Sequence, residues 1–129
     1  MNAELAVQKT IYDVLTANSP SYSVYDDVSQ DSAFPYYVIG DSTSNDFDTK
    51  TFNGLQTTVY IHSWSRYHGK KEIKEMMGAA YAALHNQTLT VTGYNFVHCL
   101  YEFSEYFLED DGITRHGIQR FNLIITEES

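Results

Sequence analysis

Residues 55–84 carry two hydrophobic periods back to back, and that switch decides what this chain can fold into. The run Gln56-Thr57-Thr58-Val59-Tyr60-Ile61-His62-Ser63-Trp64-Ser65 is rich in residues that suit a pleated surface and predicts a β-strand. Arg66-Tyr67-His68-Gly69-Lys70-Lys71 breaks it. Ile73, Met76, Met77, Ala80 and Leu84 then recur at i, i+3, i+4, i+7 and i+11, one apolar stripe along a helix. Lys71, Glu75, Gly78 and Asn86 fall on the opposite side. A chain with both periods is a mixed α and β protein. The unit holds no catalytic motif, so it reads as scaffold.

At 129 residues the chain is expected to form one domain, 1–129. A chain of this length buries about two-thirds of its unfolded surface, enough for a core without staples. The one cysteine, Cys99, excludes an internal disulfide framework and a multi-thiolate zinc site. Its setting, Val97-His98-Cys99-Leu100-Tyr101, predicts a buried thiol acting as a small hydrophobe. Glu4 and Gln8 interrupt the N-terminus and no apolar run spans a bilayer, so the expectation is a soluble chain made in a reducing cytoplasm. Seventeen acidic residues against eight basic ones give a net charge of −9, poorly suited to gripping phosphates. Eleven Tyr, seven Phe and one Trp exceed what a core of this size must use. Such rings either form a Tyr-rich sheet with its hydroxyls in water or face a partner.

Residues 3–17 predict a first helix with Ala3, Val7, Ile11, Val14 and Leu15 inward, ended by Asn18 and Pro20. Leu5 and Tyr12 form a second, smaller apolar patch on its outer side. Residues 21–27 read as extended, and a strand follows at Phe34-Pro35-Tyr36-Tyr37-Val38-Ile39-Gly40, where Pro35 suits a strand's first position. The polar stretch 41–54 predicts a long hairpin with Phe47 and Phe52 as candidate anchors near its tip. Further strands are expected over 88–92, 94–108 and 117–126. On the long one, Val97, Cys99, Tyr101 and Phe103 would share one face, and Phe96, His98, Leu100, Glu102 and Tyr106 the other. The expected class is α+β: an antiparallel or mixed sheet with two helices packed on one face. The open face would then present Thr58, Tyr60, His62 and Trp64, which a partner explains better than water does.

Reaction chemistry finds no foothold. The five histidines share no metal-ligand spacing, and His62 with His98 would supply only two ligands even if strands brought them together. Asp46 and Asp48, or Asp110 and Asp111, fail the calcium-loop spacing and read as solvated turn acids. No serine stands in Gly-x-Ser-x-Gly and no glycine-rich phosphate loop occurs. The expectation is no enzyme, no cofactor and no metal.

Taken together, the pieces resemble the tail-completion, or tail-terminator, proteins of long-tailed bacteriophages. The resemblance rests on Val24-Tyr25-Asp26 after the first helix, Phe34-Pro35-Tyr36-Tyr37-Val38-Ile39-Gly40 and Thr51-Phe52-Asn53-Gly54. It continues through Ile61-His62-Ser63-Trp64-Ser65, Gly69-Lys70-Lys71-Glu72 and the stretch from Asp111 to Phe121. It implies a sheet flanked by helices and a structural virion component at the head–tail junction. It further implies a hexameric ring of this chain capping the tail tube, with the tail-tube protein and the head connector as partners. No catalytic residues transfer. A closed ring needs two complementary patches per subunit, for which Leu5 with Tyr12 and the Tyr60–His62–Trp64 face are candidates. Phe47 and Phe52 would dock on the tube, and the acidic balance suits a pore through which DNA slides. Sequence-specific nucleic-acid binding and membrane binding are not expected. The alternatives are a head-side neck protein and a cytoplasmic module that binds a small ligand or peptide.

Overall fold

The structure, a computed structural model, describes residues 3–26, 32–48, 50 and 53–127. Its elements are helix α1 (Ala3–Asn18), strands β1 (Ser23–Tyr25), β2 (Tyr36–Asp46) and β3 (Gly54–Ser65), helix α2 (Lys71–Leu84), and strands β4 (Tyr94–Leu108) and β5 (Arg115–Glu127). The strands form one mixed sheet in the order β1-β2-β3-β5-β4. β1 runs parallel to β2 and every other pairing is antiparallel. The α+β class and both helices are as the sequence predicts.

The helices cover one face of the sheet. Val7, Ile11 and Leu15 of α1 and Met76, Ala80 and Leu84 of α2 share a buried cluster with Tyr37, Ile39, Val59, Ile61, Phe121 and Leu123. Main-chain carbonyls satisfy several of the polar donors buried here. The Tyr37 hydroxyl donates to the Met76 carbonyl at 2.6 Å, and Gln119 Nε2 donates to the Met77 carbonyl at 2.9 Å. Thr10, buried on the inner side of α1, donates to the Ala6 and Thr90 carbonyls, both at 3.0 Å. Gly117 lies beneath α2, where an added Cβ would sit 2.6 Å from the Met77 sulfur, so this glycine sets how closely helix and sheet approach. Cys99 is buried and its thiol is pushed up to about 12 by burial, which agrees with its expected role as a hydrophobe.

Two sequence expectations are corrected. Residues 88–92 are not a strand: Leu89 and Val91 are buried, but they are carried by a loop whose Thr90 carbonyl bonds α1 instead of a neighbouring strand. Alternating burial in that loop imitates a strand's period. The segment 21–27 does supply a strand, short and parallel to β2. On β4, register shifts between Phe96 and His98 and between Tyr101 and Phe103 rotate the strand, so strict alternation fails. Phe103 pairs with Arg120 on the open face, and Tyr106 pairs with Gly117 on the helix face.

The hairpin is as long as expected. β2 continues to Asp46 and β3 starts at Gly54, so 41–46 prolong β2 and Ser42 to Asp46 pair with β3. Among the described residues, no helix is long and apolar enough to cross a membrane.

Candidate partner-binding face

β3 alternates as its sequence demands. Thr57, Val59, Ile61, Ser63 and Ser65 are buried under the helices, while Thr58, Tyr60, His62 and Trp64 lie half-buried on the other face. Register determines what each of these meets. Trp64 sits between Tyr36 of β2 and His116 of β5; His62 sits between Val38 and Ile118; Tyr60 is opposite Arg120.

The outcome is a band of rings crossing all five strands at one end of the sheet. Tyr25 meets Tyr36 at 5.7 Å between centroids, Tyr36 meets Trp64 at 6.5 Å, Trp64 stacks on His116 at 3.7 Å, and Phe107 lies 5.2 Å from His116. Phe34 joins it 4.9 Å from Tyr36 and carries the Arg66 guanidinium 4.3 Å above its own ring. Offset and edge contacts of this kind add to area burial, so the band holds itself in place.

A hydrogen-bonded relay runs beneath the rings. His62 Nδ1 is 2.7 Å from His116 Nε2, and His116 Nδ1 is 3.0 Å from Glu109 Oε1. A carboxylate only accepts, so His116 Nδ1 carries the proton facing Glu109. In the neutral state its Nε2 then accepts from His62 Nδ1–H, leaving His62 Nε2 as a free acceptor. Burial, with the neighbouring His116, pushes the His62 pKa below its usual value against the pull of Asp41. Burial pushes His116 down as well, against Glu109 and Glu105. Both imidazoles are therefore uncharged near neutral pH. Gly40 makes room for this arrangement, since a Cβ there would lie 2.7 Å from His62 Nε2 and 3.3 Å from the Tyr60 carbonyl.

The pairing of His62 with His98 does not occur. β5 separates β3 from β4, and the two histidines lie opposite Ile118 and Ile124 of that strand. His98 Nε2 lies 3.3 Å from Asn122 Oδ1 instead. His116 is the partner that sequence reasoning missed. Its only signal is that it precedes Ile118 by two residues, in phase with the open face of β5.

The other candidates lie elsewhere. Leu5 and Tyr12 are 63% and 43% exposed on the outer side of α1, bordering a groove of about 500 Å³ whose far wall is Val24 and Tyr25 of β1. Phe47 is 42% exposed at the hairpin end, where its amide donates to the Gly54 carbonyl at 2.9 Å and Asp48 accepts from the Gly54 amide at 3.1 Å. Phe52 lies outside the described residues. The sheet face, the α1 groove and the hairpin end are thus three surfaces, the first two adjoining at Tyr25 and Asp26. A fourth apolar feature went unrecognised in the sequence: β4 is an edge strand with Leu100, Phe103, Phe107 and Leu108 at least a third exposed. Chemically these surfaces offer ring faces, an imidazole lone pair and carboxylates. Among the described residues, no group of three His, Cys, Asp or Glu is placed to hold a metal ion.

A mixed sheet with helices on one face and rings on the other is built to present a surface. The model of the family described as tail completion protein gp17 matches residues 7–126, and the chain belongs to that family. It is 28% identical over 127 residues to the tail completion protein gp17 of Bacillus phage SPP1, covering 95% of this chain and 94% of that protein. A chain from the virion of a native gene transfer agent particle shares the fold, with a TM-score of 0.86 at 20% identity, covering 96% of this chain and 97% of the other.

Proposed function

We propose that this chain is a structural component of a phage tail, acting at the head–tail junction. In this reading it caps the finished tail tube as a ring of six copies and forms the joint with the head connector. The observation that carries the reading is family membership along almost the whole chain, from residue 7 to 126.

The surfaces support a division of labour. A ring needs two different patches that meet head to tail. The α1 groove with Leu5 and Tyr12 serves as one. The β4 side of the open face, with Leu100, Phe103 and Phe107 beside Tyr60 and Arg120, serves as the other. The hairpin end with Phe47 docks on the tail-tube protein, with Phe52 as the second anchor proposed from the sequence, and the ring closes around DNA that an acidic wall repels.

Mixing the purified chain with tubes assembled from the tail-tube protein tests this. The expected result is a ring of uniform mass at one end of each tube, seen by electron microscopy, and no further elongation when tube protein is added. Bare tube ends that continue to grow would contradict it. Binding only to the head-side connector, with none to tubes, would favour a head-side neck protein.

A further inference from the structure

The β2 side of the open face holds a pocket of about 420 Å³ with an unusual balance of charge. Its walls include Tyr36, Trp64 and His62, its floor is opened by Gly40, and Asp26 and Asp41 stand at its rim. Among the described residues no Lys or Arg lines it. Elsewhere this chain lays its own cations over three of its rings. Arg66 lies over Phe34 at 4.3 Å, Arg120 over Phe103 at 5.3 Å and Lys74 over Tyr106 at 5.9 Å. Among the described residues no cation is stacked on Tyr36 or Trp64, although Arg66, over Phe34, borders both from the neighbouring hollow. One side of the indole is closely stacked on His116 at 3.7 Å, whereas Tyr36 stands 6.5 Å away at 28°.

We propose that this pocket receives an arginine side chain presented by a different, basic protein. Aromatic faces attract cations through the ring quadrupole, and a planar guanidinium also stacks on them and bonds carboxylates through its fork. Asp26 and Asp41 would supply that second contact. Asp26 accepts a hydrogen bond from Gln8 Nε2 at 3.1 Å, a neutral donor that leaves its charge uncompensated. His62 and His116 are neutral near pH 7, so nothing cationic in the pocket opposes entry. Charge also selects the source of the arginine. A second copy carries the same net −9, and of its three arginines Arg66 and Arg120 are already engaged within the chain, which leaves Arg115. A basic partner is the complementary one.

Trp64 is the sole tryptophan, so its emission reports the pocket directly. The test titrates the isolated chain with N-acetyl-arginine amide and, separately, with N-acetyl-citrulline amide, which has a similar shape and no charge. The expected result is a saturable change with the arginine probe in the millimolar range, and binding about tenfold weaker for citrulline, equivalent to ~1.4 kcal/mol. Raising salt from about 0.05 to 0.5 M should weaken the arginine response, because rim carboxylates are screened. The double substitution Asp26→Asn with Asp41→Asn should weaken it about three- to tenfold. These are rim positions, and an unchanged circular dichroism spectrum verifies the fold. Equal response to citrulline, no saturable response, or an unaffected double variant overturns the proposal. A probe-free Trp64 emission that shifts with protein concentration overturns it too, because a second copy then fills the pocket. None of these failures bears on tube capping, which the tube-elongation experiment measures separately.

Discussion

Gly40 and the two histidines above it form the most tightly specified spot on the open face. The substitution Gly40→Ala puts a methyl group 2.7 Å from His62 Nε2, so the ring must swing away and its bond to His116 breaks. Overpacking of this kind costs about 1–3 kcal/mol, and because the nearest atoms are the far end of a side chain that can turn aside, the expectation lies near the lower end. Urea unfolding followed by Trp64 emission measures it. The pair also makes stability depend on pH. Both folded-state pKa values lie below the unfolded value of 6.5, so the unfolded chain binds more protons as pH falls. The groups facing the pair are Asp41 from β2, Glu105 from β4 and Glu109 from the β4–β5 turn, all of which soften the effect. Stability is expected to be flat above about pH 7 and to drop as pH falls through 6.5 toward the folded-state values. The variant His62→Gln should flatten part of that slope. In the same turn as Glu109, Asp111 accepts from the Ile113 and Thr114 amides, both at 2.8 Å, and from the Thr114 hydroxyl at 2.6 Å. These bonds hold its carboxyl down to about 2. Their contribution is present above the usual value of 3.8 and is lost as pH falls toward 2, so Asp111→Ala should lower the melting temperature at pH 7 and change little at pH 2.

Individual elements were legible where a single period runs unbroken. The α2 stripe of Ile73, Met76, Met77, Ala80 and Leu84 is buried as its spacing predicts, and β3 alternates without a slip from Thr57 to Ser65. Trouble began where local pattern and pairing separate. The loop at 88–92 buries Leu89 and Val91 on alternate residues without a partner strand, and nothing local distinguishes that from a strand. Two bulges turn β4, and a bulge depends on the neighbouring strand, so the face of Phe103 could not be read from β4 alone. The same limit hid the relay, because His62 and His116 are separated by 54 positions and only strand order makes them neighbours. Thr10 was missed for another reason: a polar residue on an inner stripe is explained only by the Thr90 carbonyl that it meets. At this scale Tyr37→Phe is the informative change. It removes a buried hydroxyl bonded to the Met76 carbonyl at 2.6 Å while keeping the ring, and should cost about 0.5–1.5 kcal/mol in thermal or urea unfolding.

For the whole molecule, the division of the sheet into a helix-covered face and a ring-bearing face gives the account its shape. One side holds the chain together; the other, with the α1 groove and the hairpin end, is available to neighbours. The central claim is that this chain ends tail growth and makes the tail joinable. Tail length, measured by electron microscopy in lysates of a phage whose copy of this gene is interrupted, tests that most directly. The account predicts tails of uncontrolled, excessive length that are not attached to heads, with normal length and joining restored when the chain is supplied from a plasmid. Tails of uniform, normal length in its absence would contradict it.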